Sequence, residues 1–255
     1  MAQETKKIAL VTGGSRGLGR DMALKLSKRG ISVLLTYNSK KEDAEEVVAA
    51  VKANGVDATA IQFDAGTIGG YDSFIEQVGN TLKSSFNTDH FDFLINNAGV
   101  ALYSPFAETT EEAFDNIINI HYKGVFFLTQ KALPLINDGG RIINISSGLA
   151  RFSQPGSSAY GSAKAAVESL TRYMAKELGS RGISVNVVAP GPIETDFNGA
   201  AIRNNPQLKE RLASMSPLGR VGNADDVGSV VAFLCTDDAK WVNAQRIEVS
   251  GGINA

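Results

Sequence analysis

Seven short apolar runs alternate along the whole chain with segments of helical period, and few architectures accept that pattern. The runs are KKIALVT (6–12), ISVLLTY (31–37), VDATAIQF (56–63), FDFLIN (91–96), RIINIS (141–146), ISVNVVA (183–189) and QRIEVS (245–250). Their near-continuous apolar character suits strands covered on both faces. Helical period occupies the intervals near 17–29, 40–54, 68–83, 110–133, 158–180 and 225–236. Such alternation builds βαβ units around a parallel sheet. No Pro/Ser-rich linker, charge block or repeat divides the 255 residues, so one domain over 1–255 is expected. An eight-stranded (β/α) barrel has a similar length. The turn after the first run argues against it.

That turn, VTGGSRGLGR, leads from strand into helix and reads G-x-x-x-G-x-G at Gly13, Gly17 and Gly19, with Gly14 in addition. Missing side chains let the backbone turn tightly and approach a pyrophosphate, which the free N–H groups of the helix N-terminus then hold. A glycine-rich turn by itself is also plain turn chemistry; its place after the first strand favours the dinucleotide. The expected fold is therefore α/β and Rossmann-like, a doubly wound parallel seven-stranded sheet with helices on both faces.

The second run ends in LLTYNSKKED. A site for NAD usually has an acid here, about 20 residues past the loop, on the ribose 2′-OH. This chain has Tyr37 and Asn38, then Ser39, Lys40 and Lys41, and Arg16 inside the glycine turn reaches the same corner. Cations without an acid suit a 2′-phosphate, so NADP (NADPH) is favoured over NAD. Ser39-Lys40-Lys41-Glu42 also fits a capping box, in which Ser39 caps the helix and the lysines face solvent.

The segment SSGLARFSQPGSSAYGSAKAAVESL places Tyr160 and Lys164 four apart at the start of a helix, on one face. A tyrosine of ordinary pKa, about 10, is a poor acid–base at neutral pH, and a nearby ammonium favours its phenolate. Ser147 lies thirteen residues earlier, just past the fifth strand, where its hydroxyl can meet a substrate oxygen.

Taken together, Gly13-x-x-x-Gly17-x-Gly19, NNAG at 96–99, Ser147, Tyr160-x-x-x-Lys164 and PGPIETD at 190–196 resemble the short-chain dehydrogenase/reductase family. The resemblance spans essentially the whole chain, and the tail from Ser216 is similar to reductases of the 3-oxoacyl-[acyl-carrier-protein] and glucose dehydrogenase type. It implies that Tyr160 exchanges a proton with the carbonyl oxygen, that Lys164 bonds the nicotinamide ribose and lowers the Tyr160 pKa, and that Ser147 holds the substrate oxygen. It further implies cofactor contacts from Ser15 and Leu18 in the glycine turn, from Asn38 and Ser39, and from Asn97, Ala98 and Gly99. Pro190, Gly191, Ile193 and Thr195 complete the set, the last two at the nicotinamide carboxamide. Asp64, closing the third strand, resembles the family's adenine contact; a helix cap is the alternative. Asn186 reads as a buried structural amide. Aligning INIHYKGVFF on KGVFF puts His121 where the family carries its asparagine, which holds a water linking the lysine to solvent. A neutral imidazole can hold or replace that water; packing alone, with Asn119 or Asn144 in the role, is the other reading.

Composition bounds the rest. A formal net charge of −2 with interspersed signs argues against nucleic acid or a membrane surface. No apolar run approaches the ~18 residues of a membrane helix. The start, MAQETKKIAL, lacks the apolar stretch of a secretory leader. One cysteine, Cys235, excludes an internal disulfide and reads as a small buried hydrophobe, so a cytoplasmic location is expected. Two distant histidines make a poor ligand set, so no metal is expected. Substrate choice falls to residues 148–157, including Leu149 and Phe152, and to a lid at about 197–217. The first expectation is a reductase of small carbonyls, or dehydrogenase of secondary alcohols, assembled by the resemblance as a homotetramer. A 3-oxoacyl-[acyl-carrier-protein] reductase is the alternative. Asp138 ahead of the fifth strand weakens it, although Arg141 and Arg181 remain as cations for a carrier. A non-catalytic cofactor-binding regulator, and dehydratase or epimerase chemistry, are further alternatives.

Overall fold

The computed structural model describes residues 6–254; MAQET, half of the segment read for a leader, lies outside the described residues. Among the described residues seven strands form one parallel sheet. They are β1 Ile8–Val11, β2 Ser32–Tyr37, β3 Ala58–Gln62, β4 Phe91–Asn96, β5 Ile136–Ile145, β6 Ser184–Pro190 and β7 Arg246–Val249. Their order is β3-β2-β1-β4-β5-β6-β7, an open sheet and not a barrel. The strand order reverses between β1 and β4, where α/β sheets open a crevice at their C-terminal edge.

Helices α1 Gly17–Ser27, α2 Lys41–Lys52 and α9 Ala224–Leu234 cover one face. There Val11, Val33, Leu35 and Ile95 pack on Met22, Leu26, Val47 and Val231. The alternate strand residues Leu10, Leu34, Leu94 and Ile142 point the other way. They meet Phe74 and Val78 of α3 Tyr71–Thr81, Leu128 of α5 Gly124–Ala132 and Ala175 of α6 Ser158–Glu177. Each such leucine, fully withdrawn from water, stabilises the fold by about 2 kcal/mol.

Three local departures from the sequence pattern have physical causes. The helix expected over 110–133 forms as α4 Glu111–Ile118 and α5, joined by a π-helical turn, Asn119–Lys123, closed by the Gly124 N–H on the Asn119 carbonyl. β5 begins at Ile136, earlier than its apolar run. Residues 137–140 bulge between the pairs Phe91↔Ile136 and Phe93↔Arg141, and Gly139 at φ +75° absorbs the turn. Ser39 does not cap α2: the N-cap is Lys40, without a side-chain bond, while Lys40 and Lys41 face Asp43 and Glu45 at the surface.

The expected lid is two helices, α7 Phe197–Asn204 and α8 Pro206–Ser214. α7 opens with Asn198, Gly199 and Ala200 all left-handed. α8 starts at a proline and is capped by Asn205, whose side chain accepts from the Leu208 N–H at 3.0 Å.

Candidate active site

Loops leaving the C-terminal ends of β1 to β6 each carry an expected site residue. The glycine turn is held by its neighbours on both sides. The Gly13 N–H donates to Thr36 Oγ1 at 3.0 Å, and Asn97 Nδ2 donates to the carbonyls of Thr12 and Gly13 at 2.9 and 3.1 Å. Thr12 Oγ1 accepts from the N–H groups of Asn97 and Ala98 at 2.9 and 3.0 Å, so β1 and β4 are tied at the crevice. Asn97 therefore braces the turn through its side chain, and Thr12 is a brace that no sequence motif marked.

The glycines are needed sterically. A Cβ on Gly19 would lie 2.1 Å from the Gly13 carbonyl oxygen, and one on Gly14 would lie 2.7 Å from Leu35 Cβ. Gly17 is required by its backbone, at φ +54°; a Cβ there would meet only an ordinary contact, 3.7 Å from Thr195 Cβ. Arg16, exposed, is the N-cap of α1 and makes no side-chain cap bond. The first-turn N–H groups of α1 are thus open to an anion, and this cradle fits a dinucleotide pyrophosphate. Around it, Asn38 and Ser39 are exposed past β2. Asp64 caps no helix: its Oδ1 accepts from the Gly66 N–H at 2.9 Å within the loop after β3. Thr195, nearly buried, accepts from the Phe197 N–H at 3.3 Å, and Ile193 bridges to Gly222. Asn186 is a structural amide, as expected, bonded to the Val242 carbonyl and the Gln245 N–H.

The fold brings Ser147, Tyr160, Lys164 and His121 together. Lys164 Nζ lies 5.7 Å from the Tyr160 ring centroid and donates to the Ile145 carbonyl at 2.7 Å. The His121 and Tyr160 rings meet edge to face at 5.1 Å. Burial pushes the Tyr160 hydroxyl up to about 12, with hydrogen bonding from Ser147 acting the other way. Burial draws Lys164 down to about 7. The expected lowering of the Tyr160 pKa by Lys164 is not found in the protein alone, where desolvation dominates both groups.

His121 is buried on the π-helical turn, and burial, then the Lys164 charge, lower its pKa to about 3. The imidazole is neutral at working pH. Its Nε2 lies 2.8 Å from the Val100 carbonyl and 3.2 Å from the Val100 N–H, while Nδ1 is buried and without a hydrogen-bond partner. A Cβ on Gly99 would fall 2.6 Å from the ring, so the glycine of NNAG leaves room for this histidine. Asn144 is already occupied with Asn96 and Thr171 at 2.8 Å each.

Two aromatic contacts at the mouth escaped the sequence pattern. The Phe197 ring lies 6.5 Å from that of Tyr160. Tyr103 lies over Gly156, where a Cβ would fall 2.4 Å from its ring, and the Ser104 N–H donates to the Gly156 carbonyl at 2.8 Å. Nothing local distinguishes these rings from core or surface aromatics.

An open parallel sheet with a glycine cradle at its switch point, beside a serine, a tyrosine and a buried lysine, defines a dinucleotide-dependent oxidoreductase. A family model described as enoyl-(acyl carrier protein) reductase, adh_short_C2, matches residues 13–254. The chain belongs to the short-chain dehydrogenase/reductase family. It is 41% identical over 249 residues to the 3-oxoacyl-[acyl-carrier-protein] reductase FabG of Staphylococcus aureus, covering 97% of this chain and 98% of that one. Among solved structures it is similar to LugOII, a promiscuous reductase catalysing keto-reduction at C1 during lugdunomycin biosynthesis. That match has TM-score 0.93 and 38% identity over 99% and 100% of the two chains. It is also similar to the angucycline C-6 ketoreductase LanV with bound NADP, at TM-score 0.92 and 39% identity over 97% and 95%.

Proposed function

We propose that this protein reduces the ketone of a free small molecule with NADPH, and runs the reverse oxidation of a secondary alcohol. The carrying observation is the convergence of Ser147, Tyr160 and Lys164 beside the glycine cradle. The Ser147 hydroxyl holds the carbonyl oxygen, and Tyr160, protonated at neutral pH, donates a proton to that oxygen. Lys164, which here donates to the Ile145 carbonyl, would hold the ribose hydroxyls and, when charged, favours the phenolate left behind. His121 presents Nδ1 to a water that links Lys164 to solvent, so that the water and not the imidazole passes the proton. NADPH, when bound, supplies the hydride. Residues Gly13, Ser15, Arg16, Gly17, Leu18 and Gly19 hold its pyrophosphate side, with Arg16, Asn38 and Ser39 at the 2′-phosphate. Asp64 and Asn97 to Gly99 take the adenosine side; Pro190, Gly191, Ile193 and Thr195 take the nicotinamide. LanV, crystallised with NADP, supports the choice of cofactor.

The exposed rings of Tyr103 and Phe197 at the mouth favour a flat, apolar ketone, closed over by the lid at 197–217. The keto-reductions named for LugOII and LanV support a ketone substrate. Identity with FabG favours a carrier-bound 3-oxoacyl thioester instead. Against that, Arg141 is buried on the Gly140 carbonyl, and Arg181 is bonded to Asp138 and the Leu133 carbonyl, at the edge of the sheet opposite the crevice. No helix among the described residues is long and apolar enough to cross a membrane. We place the protein in the cytoplasm as a homotetramer, without nucleic-acid or membrane partners. The test is NADPH consumption over cyclic aromatic ketones, diketones, quinones, sugars and acyl thioesters. Turnover of ring ketones above thioesters is expected; turnover of thioesters alone transfers the protein to the second reading.

A further inference from the structure

A chain of alternating charges runs behind the catalytic serine, and the chemistry above does not use it. Glu168 of α6 accepts from Arg246 Nε of β7 at 2.7 Å. Arg246 Nη1 donates to Glu248 Oε2 at 2.9 Å, and Arg151, in the loop after Ser147, lies 3.2 Å from the same oxygen. Arg151 also donates to the Asn254 carbonyl at 2.7 Å. The side chains of Glu168, Glu248 and Arg246 are only 13%, 18% and 24% exposed. Two acids and two bases in alternation leave no buried charge uncompensated.

Both residues of the Ser146-Ser147 step are attached to this chain. The Ser146 hydroxyl donates to Glu168 at 2.7 Å, and Arg246 Nη2 donates to the Ser147 carbonyl at 3.4 Å. Ser146 also reaches the Lys164 carbonyl at 3.4 Å, and Glu168 is one helical turn beyond Lys164. One guanidinium fork thereby ties β7 to the turn that aims Ser147 and to the helix that carries Tyr160 and Lys164. Partly buried ion pairs contribute little net stability, because desolvation offsets attraction. A rigid fork contributes geometry instead.

We infer that Arg246, through Glu168 and the Ser147 carbonyl, is a positioning residue that fixes the catalytic serine against Tyr160 and Lys164. This rests on the assignment of Ser147 as the group that holds the carbonyl oxygen. The testing variant is E168Q with R246M, which removes both charges together, strands no carboxylate and keeps a hydrogen-bonding group for Ser146. The expected result is a kcat about tenfold lower, with KM for the ketone and the NADPH dissociation constant within about twofold, since misplacement acts in the transition state. R246K should fall between, as an ammonium keeps the pair with Glu168 but cannot fork to Ser147. A crystal structure of the double variant reads the same point without turnover: Ser147 should move by about 1 Å relative to Tyr160. Unchanged kcat, or a superposable Ser147, overturns the inference. A wild-type protein that turns over no ketone would sink the function proposed above, and the position of Ser147 would still decide the role of Arg246.

Discussion

At neutral pH the phenol of Tyr160, pushed up to about 12, keeps its proton, while burial draws Lys164 down to about 7. That arrangement suits an acid that donates during reduction. Tyr160→Phe removes only the transferable proton, so turnover should fall ~10²-fold or more with NADPH binding nearly intact; a variant with full rate would end the assignment. For His121, Leu should cost ~10-fold or more in turnover with little change in cofactor affinity, while Asn, which also accepts and donates, should keep most activity. Normal turnover by His121→Leu across the pH range would make the histidine structural. The same ring makes a stability prediction. Its folded pKa, about 3, lies below the ordinary 6.5, so the unfolded chain takes up a proton that the native state refuses. Stability is full above about pH 6.5 and falls as pH drops toward 3, by up to ~1.4 kcal/mol per pH unit. Urea titrations between pH 7 and 4 should show wild type losing more than His121→Asn by that increment; parallel curves would contradict it. The spacing of Tyr160, Lys164 and Ser147 was legible in the sequence because one helical turn and one strand end set it. The anchor of His121 was not, because Val100 is 21 residues away and contributes only backbone.

Among elements, the strands and long helices were readable from period, since burial on one face or two imposes it. The π-helical turn was not: an inserted residue in a helix leaves no compositional mark and is settled by what the turn packs against. Ser39 shows the converse, a correct capping motif overruled by a helix that starts one residue later. The lid was readable as a location but not as a structure, because left-handed Ala200 is a conformation that its side chain disfavours. At the glycine turn, Arg16 and the acid-free end of β2 should make NADPH bind more tightly than NADH by about 1.5–3 kcal/mol, as for a charge-assisted contact. Arg16→Leu should remove most of that gap in a fluorescence titration. Equal dissociation constants in the wild type would refute the phosphate assignment.

For the whole molecule, α4, α5 and α6 leave Phe114, Phe126 and Tyr173 at 43%, 36% and 66% exposure, apolar surface on the helices expected to pair across a two-fold axis. Sedimentation at micromolar concentration should find a tetramer; a 27.0 kDa species alone would count against it. The sheet order carries a different consequence, one of timing. Ala9 of β1 pairs with Val33, 24 residues on, but also with Phe93, 84 residues on. Closing the longer loop costs about 1 kcal/mol more in chain entropy, so β1–β2–β3 can assemble while β4 is still absent. The braces from Asn97 and Ala98 to the glycine turn arrive only with β4. Until β4 is made, one flank of β1 lacks its partner strand and the cofactor cradle lacks those braces.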